Sequence, residues 1–199
     1  MGLISNGTTI FDNGSMASGF GGSLNFISKA TASASSSIEF TSGIDSTYKE
    51  YIFYFVNLHT SNDSDRFEFI ASSNGGSSYG IATTSTAFMA EHFEGGDSGF
   101  LGYRTGEDVA QSTGTVPISE NFGADNDQSG SGYLHLFNPS STTFVKHFIA
   151  EHHSSHTSNY ADHSFNAGYI NSTSAINAIK FQFNAGNIDA GEILLFGIN

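Results

Sequence analysis

One run constrains the fold more than any other: residues 38–59, IEFTSGIDSTYKEYIFYFVNLH. Within it Tyr51, Ile52, Phe53, Tyr54, Phe55 and Val56 follow one another with no charged residue between them. Successive side chains of a strand point to opposite faces, so this segment is apolar or aromatic on both. Its expected place is inside a packed sheet sandwich or at a subunit contact. A helix would crowd these side chains against the preceding turn, whereas a pleated surface accommodates them. The run therefore predicts an all-β chain.

Composition supports that reading. A chain of 199 residues suits one large β-domain with an arm, and its 19 Phe and 8 Tyr can fill a core without Trp. Abundant Gly (23) and scarce Pro (2) fit many strands joined by tight turns. Cysteine is absent, which excludes disulfide staples and thiol chemistry. Six Lys and Arg against 19 Asp and Glu give a formal charge of −13. Nucleic acid is excluded as a partner, because phosphates need clustered Lys and Arg. Anionic membrane surfaces are disfavoured for the same reason. No apolar run is long enough to insert into a membrane. The first nine residues have neither the basic start nor the apolar stretch of a secretion signal. Met1-Gly2 lacks the Ser or Thr that myristoylation needs at position 6, which is Asn6. The sequons at Asn6, Asn13, Asn62 and Asn171 read as ordinary turn chemistry.

Along the chain, residues 1–23 are rich in Gly, Ser and Asn with isolated apolar positions, as expected of an extended attachment arm. Residues 24–199 form the expected β-sandwich domain. Phe67, Phe69 and Ala71 share one face of a strand, and Asn74-Gly75-Gly76 predicts a hairpin into 79–86. Residues 91–131 read as long loops with short strands. Residues 133–137 and 143–151 form a predicted hairpin around Asn138-Pro139, followed by a His-rich loop and a strand at 164–170. A last hairpin pairs 176–184 with 192–198 across a turn at 185–191. Nine or ten such strands without a helix predict a jelly-roll-like β-sandwich.

Two regions carry candidate chemistry. Imidazole and carboxylate together suit zinc or a related divalent ion, and His152, His153, His156, Asp162 and His163 supply both. Their order is not the His-Glu-x-x-His of a metal peptidase, and a polar His-rich loop is the competing reading. In a trimer, copies of His156 or His163 near the axis could gather one structural metal ion. Asp125-x-Asp127-x-Ser129-Gly130 copies the front of a calcium loop, but the closing Glu would fall at Leu136. Asp125 and Asp127, with His92, Glu94 and Asp97, remain candidates for binding loops. His59, His135 and His147 fall in predicted strands and read as packed or hydrogen-bonded sheet residues. There is no Gly-x-Ser-x-Gly elbow, and the glycines at 19, 21 and 22 lack the Lys of a phosphate loop. Glu91, Glu94, Asp97, Glu107 and Asp108 could supply a carboxylate pair for glycoside hydrolysis, yet none is singled out. No catalytic residue or cofactor is expected.

The segments ISKATASASSSIEFTSGIDSTYKEYIFYFVNLH, GGSSY at 75–79, LHLFNPSSTTFVKHFIA and SAINAIKFQFNAGNIDAGEILLFGI resemble an uncharacterised family of virion structural proteins from marine tailed bacteriophages. The likeness covers most of the chain after about residue 24. It implies a non-enzymatic, trimeric, fibre-like appendage on the head or tail, assembled in the host cytoplasm and carried on the virion. The closing segment 187–198 resembles the last hairpin of phage fibre domains. Other virion proteins are the implied partners, and the aromatics and Asn, Asp and Ser loops suit a host-surface glycan. A capsid decoration protein clamped through 1–23 is the alternative expectation, and a glycan-degrading enzyme a more distant one.

Overall fold

The computed structural model describes residues 3–12, 15–16, 23–96 and 98–199. Among them there is no helix, and two antiparallel sheets pack face to face as a β-sandwich. Of the expected arm, the described residues form a sheet of their own from β1 (Leu3–Ser5), β2 (Thr8–Asp12) and β3 (Ser15–Met16). Asn6 and Gly7 at φ 49° and 79° make the left-handed two-residue turn that joins β1 to β2.

The sandwich begins with β4 (Leu24–Thr31), β5 (Ile38–Phe40), β6 (Glu50–Thr60) and β7 (Asp65–Ser72). It continues through β8 (Thr83–Phe93), β9 (Gly99–Tyr103), β10 (Val116–Phe122) and β11 (Gly130–Phe137). It ends with β12 (Lys146–Ser155), β13 (Tyr160–Ile170), β14 (Ala178–Phe183) and β15 (Ile188–Ile198). The larger sheet has eight strands in the order β4-β15-β6-β11-β12-β13-β8-β9, and the smaller has four, β10-β7-β14-β5.

Setting aside β8-β9 and β12-β13 leaves eight strands in two quartets, β4-β15-β6-β11 and β5-β14-β7-β10. In each quartet early and late strands lie side by side, first against last and second against second-to-last, as in a jelly roll of two Greek keys. The expected fold is therefore present, with two insertions. One follows β7, the other follows β11, and both add strands to the same edge of the larger sheet.

The interior is a lattice of rings. Phe53 and Phe55 from β6 meet Phe40, Phe67 and Phe181 from the smaller sheet at centroid distances of 5.1 to 5.2 Å, edge to face. Such contacts add to the burial of the rings themselves. Below them the Asp65 carboxylate is buried and accepts hydrogen bonds from Thr60 Oγ1 and from the backbone amides of Arg66, Ala185 and Gly186. One aspartate thus ties the turn before β15 to the start of β7.

Several local expectations change. Asn74-Gly75-Gly76 does form a tight turn, but β7 and β8 lie in different sheets, so the connection is a crossover and not a hairpin. The same holds for β14 and β15, which the turn at 185–191 carries across the sandwich. Short-range turn signals report a reversal of the chain; they do not report which sheet receives the next strand. The β11–β12 hairpin is present as expected. The predicted His-rich loop is largely strand, since β12 runs to Ser155 and β13 starts at Tyr160.

β6 itself is fully covered on one side and only partly on the other. Tyr51, Phe53 and Phe55 are buried in the core. On the outer face Ile52 is buried between its cross-strand neighbours Phe196 and His135, Tyr54 is half-buried and Val56 is exposed. That face continues across the sheet. One row runs Leu194, Tyr54, Tyr133, Glu151, Phe165, Phe88, Tyr103, and the next runs Phe26, Phe196, Ile52, His135, Ile149, Ala167, Thr86.

The ring lattice predicts a steep contrast between two phenylalanines. Phe181→Ala removes a fully buried ring and should cost about 3–5 kcal/mol of unfolding free energy, whereas Phe144→Ala at an exposed loop should cost under about 0.5 kcal/mol. Urea midpoints at unchanged m-value measure both.

Candidate functional sites

The pleat of β12 and β13 sorts the histidine cluster. His152, Ser154, Asp162 and Ser164 point into the sandwich, while His153 and His163 point out, with rings 6.3 Å apart. The residues that looked like one ligand set therefore lie on opposite sides of the sheet. Among the described residues no three His, Asp or Glu side chains come together in metal-ligand geometry. On the outer face His163 Nε2 lies 2.8 Å from Glu151 Oε1, and the Tyr133 hydroxyl donates to Glu151 Oε2 at 2.5 Å. These two hydrogen bonds hold the Glu151 carboxyl below the usual range, the larger share coming from Tyr133. His156 closes the β12–β13 turn, its Nδ1 accepting from the Ser158 amide at 2.8 Å.

Inward-facing His152 sits among the rings of Phe55, Phe67 and Phe122, and neither ring nitrogen has a hydrogen-bond partner. Burial, helped by His153 and His163, pushes its pKa down to about 3, so it is a neutral ring that fills core volume. Two residues of strand separate it from the inserted strands' most unusual feature. Asp162 is 1% exposed, faces Glu91 across the β13–β8 pair, and has both carboxylate oxygens unpartnered. Burial, then the charges of Glu91 and Glu120, push it up to about 7, with Arg104 pulling the other way.

A second carboxylate pair lies close by. Arg104 pairs with Glu120, and Arg66 lies 2.6 Å from Glu68 and 3.9 Å from Glu107. Glu107 is pushed up to about 8 by burial first and then by its hydrogen bond with Glu120, against Arg66 and Arg104. Arg104, Glu107, Glu120, Met89, Ile118 and Asn166 line a small, partly open cavity of about 10 Å³, the space of a single water. The cluster can hold protons, but a sugar ring does not fit this cavity. Glu107 was among the sequence candidates; its partner Glu120 and the buried Asp162 were not seen as a group. The packing of β10 and the loop before it over β8 and β13 brings them together.

The other expected loop residues divide. His92 is the exposed end of β8 rather than a loop residue, Glu94 is exposed in the following turn, and Asp97 lies outside the described residues. Asp125 and Asp127 are exposed in the loop between β10 and β11. The Asp125 carbonyl approaches His59 Nε2 at 3.2 Å, and His59 Nδ1 lies 3.6 Å from Asp189. Asn57, His59, Asn126, Asp127, Ser129 and Asp189 border an open polar groove of about 440 Å³ at this end of the sandwich. His59 was not expected in this group; the sequence has it as a sheet residue, and a bulge in β6 opposite Ser131 turns it to the rim.

Compared with known proteins, the chain matches no family model, no curated protein and no solved structure.

The buried carboxylates set the pH response. Above the ordinary histidine range, about 6.5, the unfolded chain has ionised Asp162 and Glu107, while the folded chain still binds part of their protons. Stability therefore falls as pH rises from 6.5 to about 8. Below 6.5 His152 gives the opposite trend, since folding forbids its protonation. Asp162→Asn should raise the melting temperature at pH 8.5 by roughly 3–8 °C and by clearly less at pH 5. Calorimetry at the two pH values is the measurement, and equal shifts at both would remove this account.

Proposed function

We propose that this chain is a non-enzymatic structural protein of a tailed-bacteriophage particle, displayed on the head or tail and contributing to contact with a host-surface glycan. The observation that carries the glycan part is the groove of about 440 Å³ bordered by Asn57, His59, Asn126, Asp127, Ser129 and Asp189. Its volume falls in the range of small-molecule sites, about 300–1,000 Å³. Its side chains are short amides, carboxylates, a hydroxyl and an imidazole, which bond sugar hydroxyls in either direction. The groove is at one end of the rigid sandwich, where loops are free to vary without disturbing the core. The particle assignment is supported by the resemblance of three long segments and one short one to phage structural proteins and by the jelly-roll quartets, an architecture shared by capsid and lectin domains.

Two measurements test this reading. Antibody raised against the purified chain should decorate intact phage particles in electron micrographs. Glycan arrays of marine bacterial surface polysaccharides should give a ligand whose binding weakens about tenfold in Asp127→Ala, the loss of a single good hydrogen bond to a charged group. The variant should melt with the parent, since Asp127 is exposed. Unlabelled particles would end the virion assignment, and binding indifferent to Asp127→Ala would end the role of the groove.

A further inference from the structure

Among the described residues nothing packs over the outer face of the eight-stranded sheet, and between its few paired carboxylates that face is largely aromatic and aliphatic. Phe88 is 46% exposed, Ile149 49%, Tyr103 52% and Phe26 60%. Soluble single-chain proteins rarely expose contiguous apolar patches of this extent without a partner. The rings are already ordered among themselves: Phe88 stacks on Phe165 at 4.7 Å, Phe26 meets Phe196 at 5.5 Å and Tyr54 meets Phe196 at 5.7 Å. Little side-chain entropy remains to be lost when such a surface is covered.

Charge identifies the occupant. The chain carries −13, so two copies repel through most of their surface. On this face the carboxylates are already answered: Glu50 by His135, Glu151 by Tyr133 and His163, and Glu192 by Lys29 and Thr31. At its rim Asp189 faces His59. On it two acidic copies can meet without bringing unanswered carboxylates together. Eight strands at about 4.8 Å spacing and a few outward rows give a face of roughly 900 Å², against roughly 800 Å² per partner in a stable complex. A sugar chain would cover a fraction of that. Relief is present as well as area, because Ile149 stands beside a trough of about 200 Å³ over Ala167, walled by Phe88, Phe165 and Thr86.

We infer that the outer face of the eight-stranded sheet, centred on Ile149, Phe88 and Phe165, is the surface through which copies of this chain associate with one another. This is independent of the polar groove, which lies at the loop end of the sandwich. The subunit contact that residues 51–56 allow from sequence then falls on Tyr54 and Val56, the outward members of that run.

Sedimentation equilibrium of the purified protein tests it. The wild type should sediment at a multiple of its 21.1 kDa mass at micromolar concentration. The double variant Phe88→Glu/Ile149→Glu should sediment as a single chain with an unchanged β-type circular dichroism spectrum. Because the chain has no cysteine, a conservative second test is available. Ile149→Cys should cross-link chains through a short bismaleimide, and Thr41→Cys, on the loop after β5, should not. A single-chain wild type at 100-fold higher concentration than cross-linking requires would overturn the inference. So would a double variant that remains associated, or equal cross-linking of the two cysteine variants. Binding of a polysaccharide to the face of a single-chain wild type would reassign it to a glycan.

Discussion

Everything in this sandwich hangs on the meeting of Phe53 and Phe55 with Phe40, Phe67 and Phe181. These rings come from both sheets, and their edge-to-face contacts are the principal bond between them. With no disulfide to hold the layers, sheet separation and alignment are set by how phenylalanines interlock. Buried polar groups are then tolerated only where that lattice leaves them a defined place. Asp65 is answered by three backbone amides and the Thr60 hydroxyl, Lys146 donates to the Ser172 carbonyl at 2.9 Å, and His152 survives by remaining uncharged.

The two insertions explain most of what is unusual elsewhere. They widen one sheet to eight strands while the other stays at four. On the inner side, β10 reaches over β12 and β13, and the space near it collects Asp162, Glu107, Glu120 and Arg104. A jelly roll without the insertions would have no such compartment. On the outer side, the widened sheet presents its aromatic rows to whatever lies beyond. A proton-holding seam and an open aromatic face are thus two results of one topological event.

Reading the chain alone reveals the class and much of the register. Alternation at Phe67-Phe69-Ala71 and the unbroken run at Tyr51 to Val56 are local properties, and local properties survive into the structure. Pairing partners are not local. Asn74-Gly75-Gly76 marks a turn as surely when the next strand crosses to the other sheet as when it returns beside the first. The histidine cluster failed as a unit for a related reason: treated as loop, its members are free to converge, whereas a pleat forces His152 and His153 apart. Glu107 and Glu120 lie on segments with no sequence signal linking them, so their meeting was invisible. The groove was half legible, through Asp125 and Asp127, and its other wall depends on a bulge in β6.

β15 is the last strand of the sandwich in chain order, yet it lies between β4, the first, and β6. The larger sheet cannot become continuous until residues 188–198 exist, however early the other strands are made. Folding must therefore wait for synthesis to pass this point, and the nascent chain meanwhile carries unpaired strand edges and exposed phenylalanines. Non-local pairing of this kind is slow, and slow folders with open edges are the ones that aggregate. The formal charge of −13 acts during that interval as well as afterwards, keeping incomplete copies apart until the gap in the sheet is filled.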